Sequence, residues 1–234
     1  MSRRHSGILA LGLIFALALA ATAAEQVEEP IIIYPAGSEP QPEPSPVRWD
    51  GPIARFGAVT LDSQTRVVSA TGWVNQVEGA IELFACGPKG KLHECVFVLA
   101  LNPIDLQAAL LLAGHKAGAT MPAMGEGPPK GSPMDIHVEW ELEGEPHRER
   151  AEKFIWAVPD NSALPDSNWI FTGSMIYEGR FMGFAEESLV ASYWDPYAIV
   201  NLDHPYGADD ELLHANPETV PPFGTPVTFF FTPR

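Results

Sequence analysis

From Met134 to Leu142 the sequence alternates without interruption: Ile136, Val138, Trp140 and Leu142 fall on one side, Asp135, His137, Glu139 and Glu141 on the other. A period of two places the first set on a core and the second in water, so this stretch can only be a half-buried strand. Glu143-Gly144-Glu145 then turns the chain back, and Arg148 and Arg150 are expected to face Glu139 and Glu141 across the resulting hairpin. Similar short runs recur at residues 56–61, 67–77, 80–86, 94–101, 154–158, 169–174, 181–184, 188–192 and 227–231. They are rich in β-branched and aromatic residues and are separated by Gly, Pro, Asn and Asp. The fold class is therefore mainly β, an α+β arrangement with few helices. Its antiparallel sheets are expected to form a sandwich or an open barrel.

One helix interrupts the pattern, at residues 103–113. Asn102 is a good N-cap, Pro103 suits the first helical position, Asp105 complements the positive end of the helix dipole, and Gly114 ends it. Leu106, Ala109, Leu110 and Ala113 make an apolar stripe, which Leu111 and Leu112 are expected to widen into a deeply packed face. Residues 115–133, rich in Gly and Pro, read as a long irregular loop.

The ends of the chain differ from this middle. Arg3 and Arg4, an apolar run from residue 8 to 21 and Ala21-x-Ala23 make an export signal over residues 1–23, with cleavage expected after Ala23. The run is shorter than the roughly 20 residues that span a bilayer, so no transmembrane anchor is expected once the signal is removed. Residues 24–52 carry seven prolines, six acids and one base. That composition reads as a disordered acidic spacer, with Ile31-Ile32-Ile33-Tyr34 as the one segment fit to pair as an edge strand. Residues 53–234 then form a single folded domain, and the protein is expected in the periplasm or cell envelope, or secreted.

Charge narrows the function. With 14 Lys plus Arg against 30 Asp plus Glu, and a formal charge of −16, the chain repels nucleic acid and anionic lipid, and its basic residues are too scattered to override that average. Its two cysteines cannot supply a common iron–sulfur cluster or an all-Cys zinc site. No nucleophile elbow, Ser-x-x-Lys or phosphate loop is present. Histidines 93, 115, 137, 147, 204 and 214 form neither His-x-His nor His-x-x-x-His. Asp203, His204, Asp209, Asp210, Glu211 and His214 crowd a short segment, but without the alternating ligand positions of a calcium loop. No cofactor is expected, a divalent metal being the alternative.

Several motifs together resemble the YdjY-like family of exported bacterial proteins. They are Gly72-Trp73-Val74, Gly90-Lys91-Leu92-His93-Glu94-Cys95-Val96, Ala109-Leu110-Leu111-Leu112-Ala113-Gly114, Trp169-Ile170-Phe171-Thr172-Gly173-Ser174 and Pro221-Pro222-Phe223-Gly224-Thr225-Pro226-Val227. The resemblance spans residues 56–233 and implies an exported domain without an established activity. Its most distinctive piece, Lys-x-His-Glu, makes Lys91, His93 and Glu94 the candidate site, at the mouth of a strand beside Lys89. The function expected is a non-catalytic binding or scaffold role, the partner an envelope protein or a small ligand. One alternative is a metal-dependent or acid–base enzyme using His93 and Glu94; another is a periplasmic metal carrier.

Cys86 and Cys95 flank the turn that contains this site. In an oxidising compartment, and in a hairpin centred on Gly90-Lys91, they stand opposite each other and are expected to form a disulfide, the alternative being two reduced core thiols.

Overall fold

The computed structural model describes residues 43–119 and 121–234. The export signal, most of the acidic spacer and the strand expected at Ile31 to Tyr34 lie outside the described residues. In chain order the strands are β1 (Val47–Asp50), β2 (Ile53–Phe56), β3 (Val59–Asp62), β4 (Val67–Val74), β5 (Gly79–Ala80), β6 (Leu83–Cys86), β7 (Cys95–Leu99), β8 (Ser132–Leu142), β9 (Glu145–Arg150), β10 (Ile155–Ala157), β11 (Ser162–Ala163), β12 (Asn168–Phe171), β13 (Ile176–Tyr177), β14 (Arg180–Phe181), β15 (Ser188–Ala191), β16 (Val200–Asp203), β17 (Leu213–Ala215) and β18 (Pro226–Pro233). The helices are α1 (Pro103–Leu112) and the single turn α2 (Met182–Ala185).

Eight of the strands close on themselves in the order β4, β18, β8, β12, β16, β15, β6, β7 and back to β4. The protein is thus mainly β, as expected, and the ring is mixed: β6 runs parallel to β7 and β15 parallel to β16. An eight-stranded ring encloses just enough space for side chains, and here aromatics fill it. Phe84 lies 5.1 Å from Phe97, 5.2 Å from Trp169 and 5.6 Å from Phe229, centroid to centroid, and all four are buried. Ile136 and Val138 of the alternating strand face the same interior, while Leu142, where the strand runs past the barrel, is 40% exposed.

Closure depends on one position. The edge of β4 that faces away from β18 is shared, Val67 to Ala70 pairing with β3 and Gly72 to Val74 with β7. A Cβ on Gly72 would stand 2.1 Å from the Val98 carbonyl oxygen and 2.6 Å from Leu99 Cδ2, so only glycine lets the two strands meet.

The β8–β9 hairpin turns through Glu143 and Gly144, both at positive φ. Its register puts Glu139 opposite Arg148, and they form the expected ion pair. Arg150 departs from expectation. It lies opposite His137 and reaches sideways to Asp135 at 2.9 Å and to the buried Glu152 at 3.0 Å, leaving Glu141 opposite Pro146.

Helix α1 is capped as its sequence requires. The Asn102 side chain accepts from Ile104 N at 3.1 Å, and at the other end Arg66, from the β3–β4 turn, donates through Nε to the Ala113 carbonyl at 2.6 Å. Leu106, Ala109, Leu110 and Ala113 are buried. Leu111 and Leu112, expected to widen the stripe, are instead 48% and 54% exposed, because the helix lies on the β2–β3 side of the sheet by one face only. Asp105, 1% exposed, accepts from Ser45 N at 2.7 Å, and Asn102 Nδ2 donates to the Glu43 carbonyl at 3.1 Å. These two bonds strap the end of the proline-rich segment to the helix. The boundary drawn at residue 53 falls inside the β1–β2 hairpin, whose register pairs Asp50 with Ile53.

His115, just beyond the helix, is 4% exposed, and its Nε2 has no hydrogen-bond partner among the described residues. Burial, with the charge of Arg66 adding to it, lowers its pKa; burial likewise lowers those of His137 and His204. The unfolded chain therefore takes up protons at higher pH than the folded one. Stability should be level above the ordinary imidazole range and fall as pH drops through and below about 6.5. Thermal melts of His115→Phe should show a shallower acid limb than those of the parent. Gly72→Ala should lower stability by about 3 kcal/mol, a fall in Tm of roughly 6–12 °C for a domain of this size.

Candidate functional site

Residues 87–94 connect two parallel strands and so form no hairpin; the chain must travel back along the barrel before β7 begins. Glu187, at positive φ, clamps the start of this connection: its carbonyl accepts from Gly87 N at 2.8 Å and its carboxylate from Lys89 N at 2.6 Å. A Cβ on Gly87 would lie 2.2 Å from that carboxylate. The connection ends in a 3-10 turn, Leu92–Glu94, rather than in extended strand.

That turn brings Lys91 and Glu94 together and leaves His93 outside. Lys91 Nζ lies 2.5 Å from Glu82 Oε2 and 3.1 Å from Glu94 Oε1. Burial of the ammonium works against its charge, but the two carboxylates outweigh that and raise its pKa above the ordinary lysine range. The His93 side chain is 80% exposed, with Nε2 3.7 Å from Glu94 Oε2.

Behind Lys91 lies a cavity of about 140 Å³ lined by Leu83, Lys91, Met124, Glu186, Ser188, Asp195 and Tyr197. Its polar wall is held by a chain of hydrogen bonds. Asp195, 6% exposed, accepts from Ser188 Oγ at 2.6 Å and from Tyr197 N at 2.7 Å. Asn201 Oδ1 accepts from Asp195 N at 2.8 Å, and Asn201 Nδ2 donates to the Asp195 carbonyl at 2.9 Å and to Thr172 Oγ1 at 3.0 Å. Burial raises the Asp195 carboxyl above the usual range, with the Ser188 and Tyr197 hydrogen bonds pulling the other way. Nearby, Tyr193 is also pushed up, by burial and by the charges of Asp210, Glu82 and Asp209. The surroundings are thus predominantly anionic, with Lys91 as the cation at the rim.

Of the three residues singled out in the sequence, Lys91 lines this cavity, and His93 and Glu94 do not. Glu82, Ser188, Asp195 and Tyr197 come from other strands and loops, and no local motif marks them. Ser188-x6-Asp195-x-Tyr197 has no spacing that separates it from an ordinary strand and turn.

The disulfide is corrected. Because β6 and β7 are parallel, Leu83 lies opposite Cys95 and Cys86 opposite Val98, so the two cysteines sit at different levels of the ladder and are free thiols. Both are buried with Leu83, Val98, Ala191 and Ala198 in a small apolar cluster outside the barrel. The Cys95 thiol donates to the Phe97 carbonyl at 3.1 Å, and burial, with the neighbouring Cys86 thiol, pushes its pKa up. Such thiols are poor nucleophiles.

Among the described residues, no group of three or more His, Cys, Asp and Glu side chains is arranged to hold a metal ion. In the segment at residues 203–214, His204 Nδ1 accepts from Tyr206 N at 3.3 Å and Asp209 Oδ1 from Glu211 N at 2.9 Å, both turn-forming roles, and His214 pairs with Ala80 on the edge of the small sheet.

The YdjY domain family matches this chain over residues 59–232, and the chain belongs to that family. No curated protein and no solved structure matches it.

Protein unfolded without reductant should titrate two thiols per chain with a disulfide-exchange reagent. A count of zero would mean that β6 and β7 are not aligned as described.

Proposed function

We propose that this is an exported, non-catalytic binding domain of the cell envelope whose site is the cavity between Lys91 and Asp195, and that its ligand is small and bears an ammonium group. The observation that carries this reading is the excess of carboxyls around a buried one. Glu186 and Asp195 line the cavity, Glu82 and Glu94 stand beyond Lys91, and burial holds the Asp195 carboxyl above its usual range. A cation entering here meets more negative than positive charge, and it would offset the burial that disfavours the ionised Asp195 carboxyl. Export is supported by the basic start, the short apolar run and the Ala21-x-Ala23 spacing.

Amide resonances of the labelled mature protein test the reading under titration with ethanolamine and, separately, with acetate. Ethanolamine should shift the amides of Ser188, Asp195 and Tyr197, and Asp195→Asn should weaken its binding roughly tenfold. Acetate should leave the three amides in place. Equal shifts with both probes, or none with ethanolamine, would refute it.

A further inference from the structure

The N-terminal hairpin carries an arrangement that nothing in the barrel accounts for. Its register sets Arg48 on β1 directly opposite Arg55 on β2, both exposed. Like charges so placed repel, and the chain has carboxylates to spare. Elsewhere it uses them: Arg148 pairs with Glu139, Arg150 with Asp135 and Glu152, Arg234 with Asp135, while Arg66 caps α1. Among the described residues Arg48 has no such partner, and Arg55 has only the Thr60 hydroxyl at 3.4 Å. The two line a cavity of about 370 Å³ together with Ser45, Pro46 and Gly57.

Two further features lie beside that pair. β1 is the terminal strand of its sheet among the described residues, so one side of its backbone is unpaired. With a two-residue turn after Asp50, hydrogen-bonded and non-hydrogen-bonded pairs alternate from Asp50–Ile53 outward, which turns the N–H and C=O groups of Trp49 and Val47 to the free edge. On the face opposite the arginines, Val47 and Trp49 are 44% and 55% exposed. One edge thus offers main-chain hydrogen bonds, cations on one face and apolar side chains on the other.

We propose that β1 receives an extended peptide segment of a partner protein, added as a further strand, whose residues alternate acidic and apolar. Its carboxylates pair with Arg48 and Arg55 in the manner favoured by guanidinium groups, and its apolar residues cover Val47 and Trp49. Charge complementarity selects the partner: on a chain of net charge −16, two arginines that face each other without a carboxylate partner among the described residues fit an acidic segment and oppose a basic one. The site is separate from the cavity at Lys91, and neither reading depends on the other.

The probe is a fluorescein-labelled peptide, Thr-Glu-Val-Glu-Val-Glu-Val-Glu-Thr, titrated with the full mature chain and followed by anisotropy. Arg48→Gln with Arg55→Gln should weaken binding roughly tenfold or more with an unchanged Tm, and so should replacing every Glu of the peptide with Gln. Trp49→Pro, which removes an outward N–H, should bind several-fold more weakly than Trp49→Ala, which removes only the side chain. No binding of the probe, or equal binding of the Gln peptide, overturns the proposal. Displacement of the peptide by millimolar inorganic phosphate, with Trp49→Pro and Trp49→Ala binding alike, also overturns it, because the arginines would then hold an oxyanion without strand addition.

Discussion

The barrel exists because β4 can change partners in mid-strand. Its first half belongs to an open antiparallel sheet with β3, its second half to a closed ring through β7, and the change falls at Gly72. A side chain there would force the strands apart at the seam, and the aromatic interior, with Phe84 in contact with Phe97, Trp169 and Phe229, would lose its wall on that side. The seam also fixes where β7 begins. It therefore determines where the connection from β6 must deliver the chain, and with it the positions of Lys91 and Glu94.

What could be read from the sequence was local. Asn102, Pro103, Asp105 and Gly114 define a helix by their own hydrogen-bonding and conformational preferences, and the structure places that helix where they require. Alternation at Ile136 and Val138 gives the buried face of a strand correctly, because burial repeats every second residue whichever strand lies alongside. Alternation carries no information about direction, however. Residues 87–94 look locally like a hairpin turn, and only the long-range pairing of β6 with β15 and of β7 with β4 makes the strands they join parallel. The opposition of Cys86 and Cys95 was an inference about direction, and it failed for that reason. Leu111 and Leu112 failed differently: a helix lying on one side of a sheet buries a single stripe, and two more leucines do not recruit a second surface.

The candidate site divides along the same line. Lys91 and Glu94 belong to a short motif and were visible; their counterparts are not contiguous. Glu82 precedes β6, Ser188 opens β15, and Asp195 lies in the turn between β15 and β16. Barrel closure, not sequence proximity, brings Ser188 and Asp195 to one cavity with Lys91 and sets Glu82 against the Lys91 ammonium. His93, the residue of the motif with the most obvious chemistry, faces water, while the less conspicuous Asp195 is buried in the cavity wall, where burial raises its carboxyl above the usual range.

The bonds at the two ends of α1 have a consequence for how the molecule comes apart. Arg66 holds the carboxyl end from the β3–β4 turn, and Asp105 and Asn102 at the amino end hold the chain that leads into β1. A helix fixed at one end can fray from the other; this one has no loose end. Unwinding it would release Arg66 from the Ala113 carbonyl, leave a buried carboxylate unpaired and free the N-terminal hairpin at once. The helix and the hairpins of the open sheet therefore belong to a single cooperative unit, opening together or not at all.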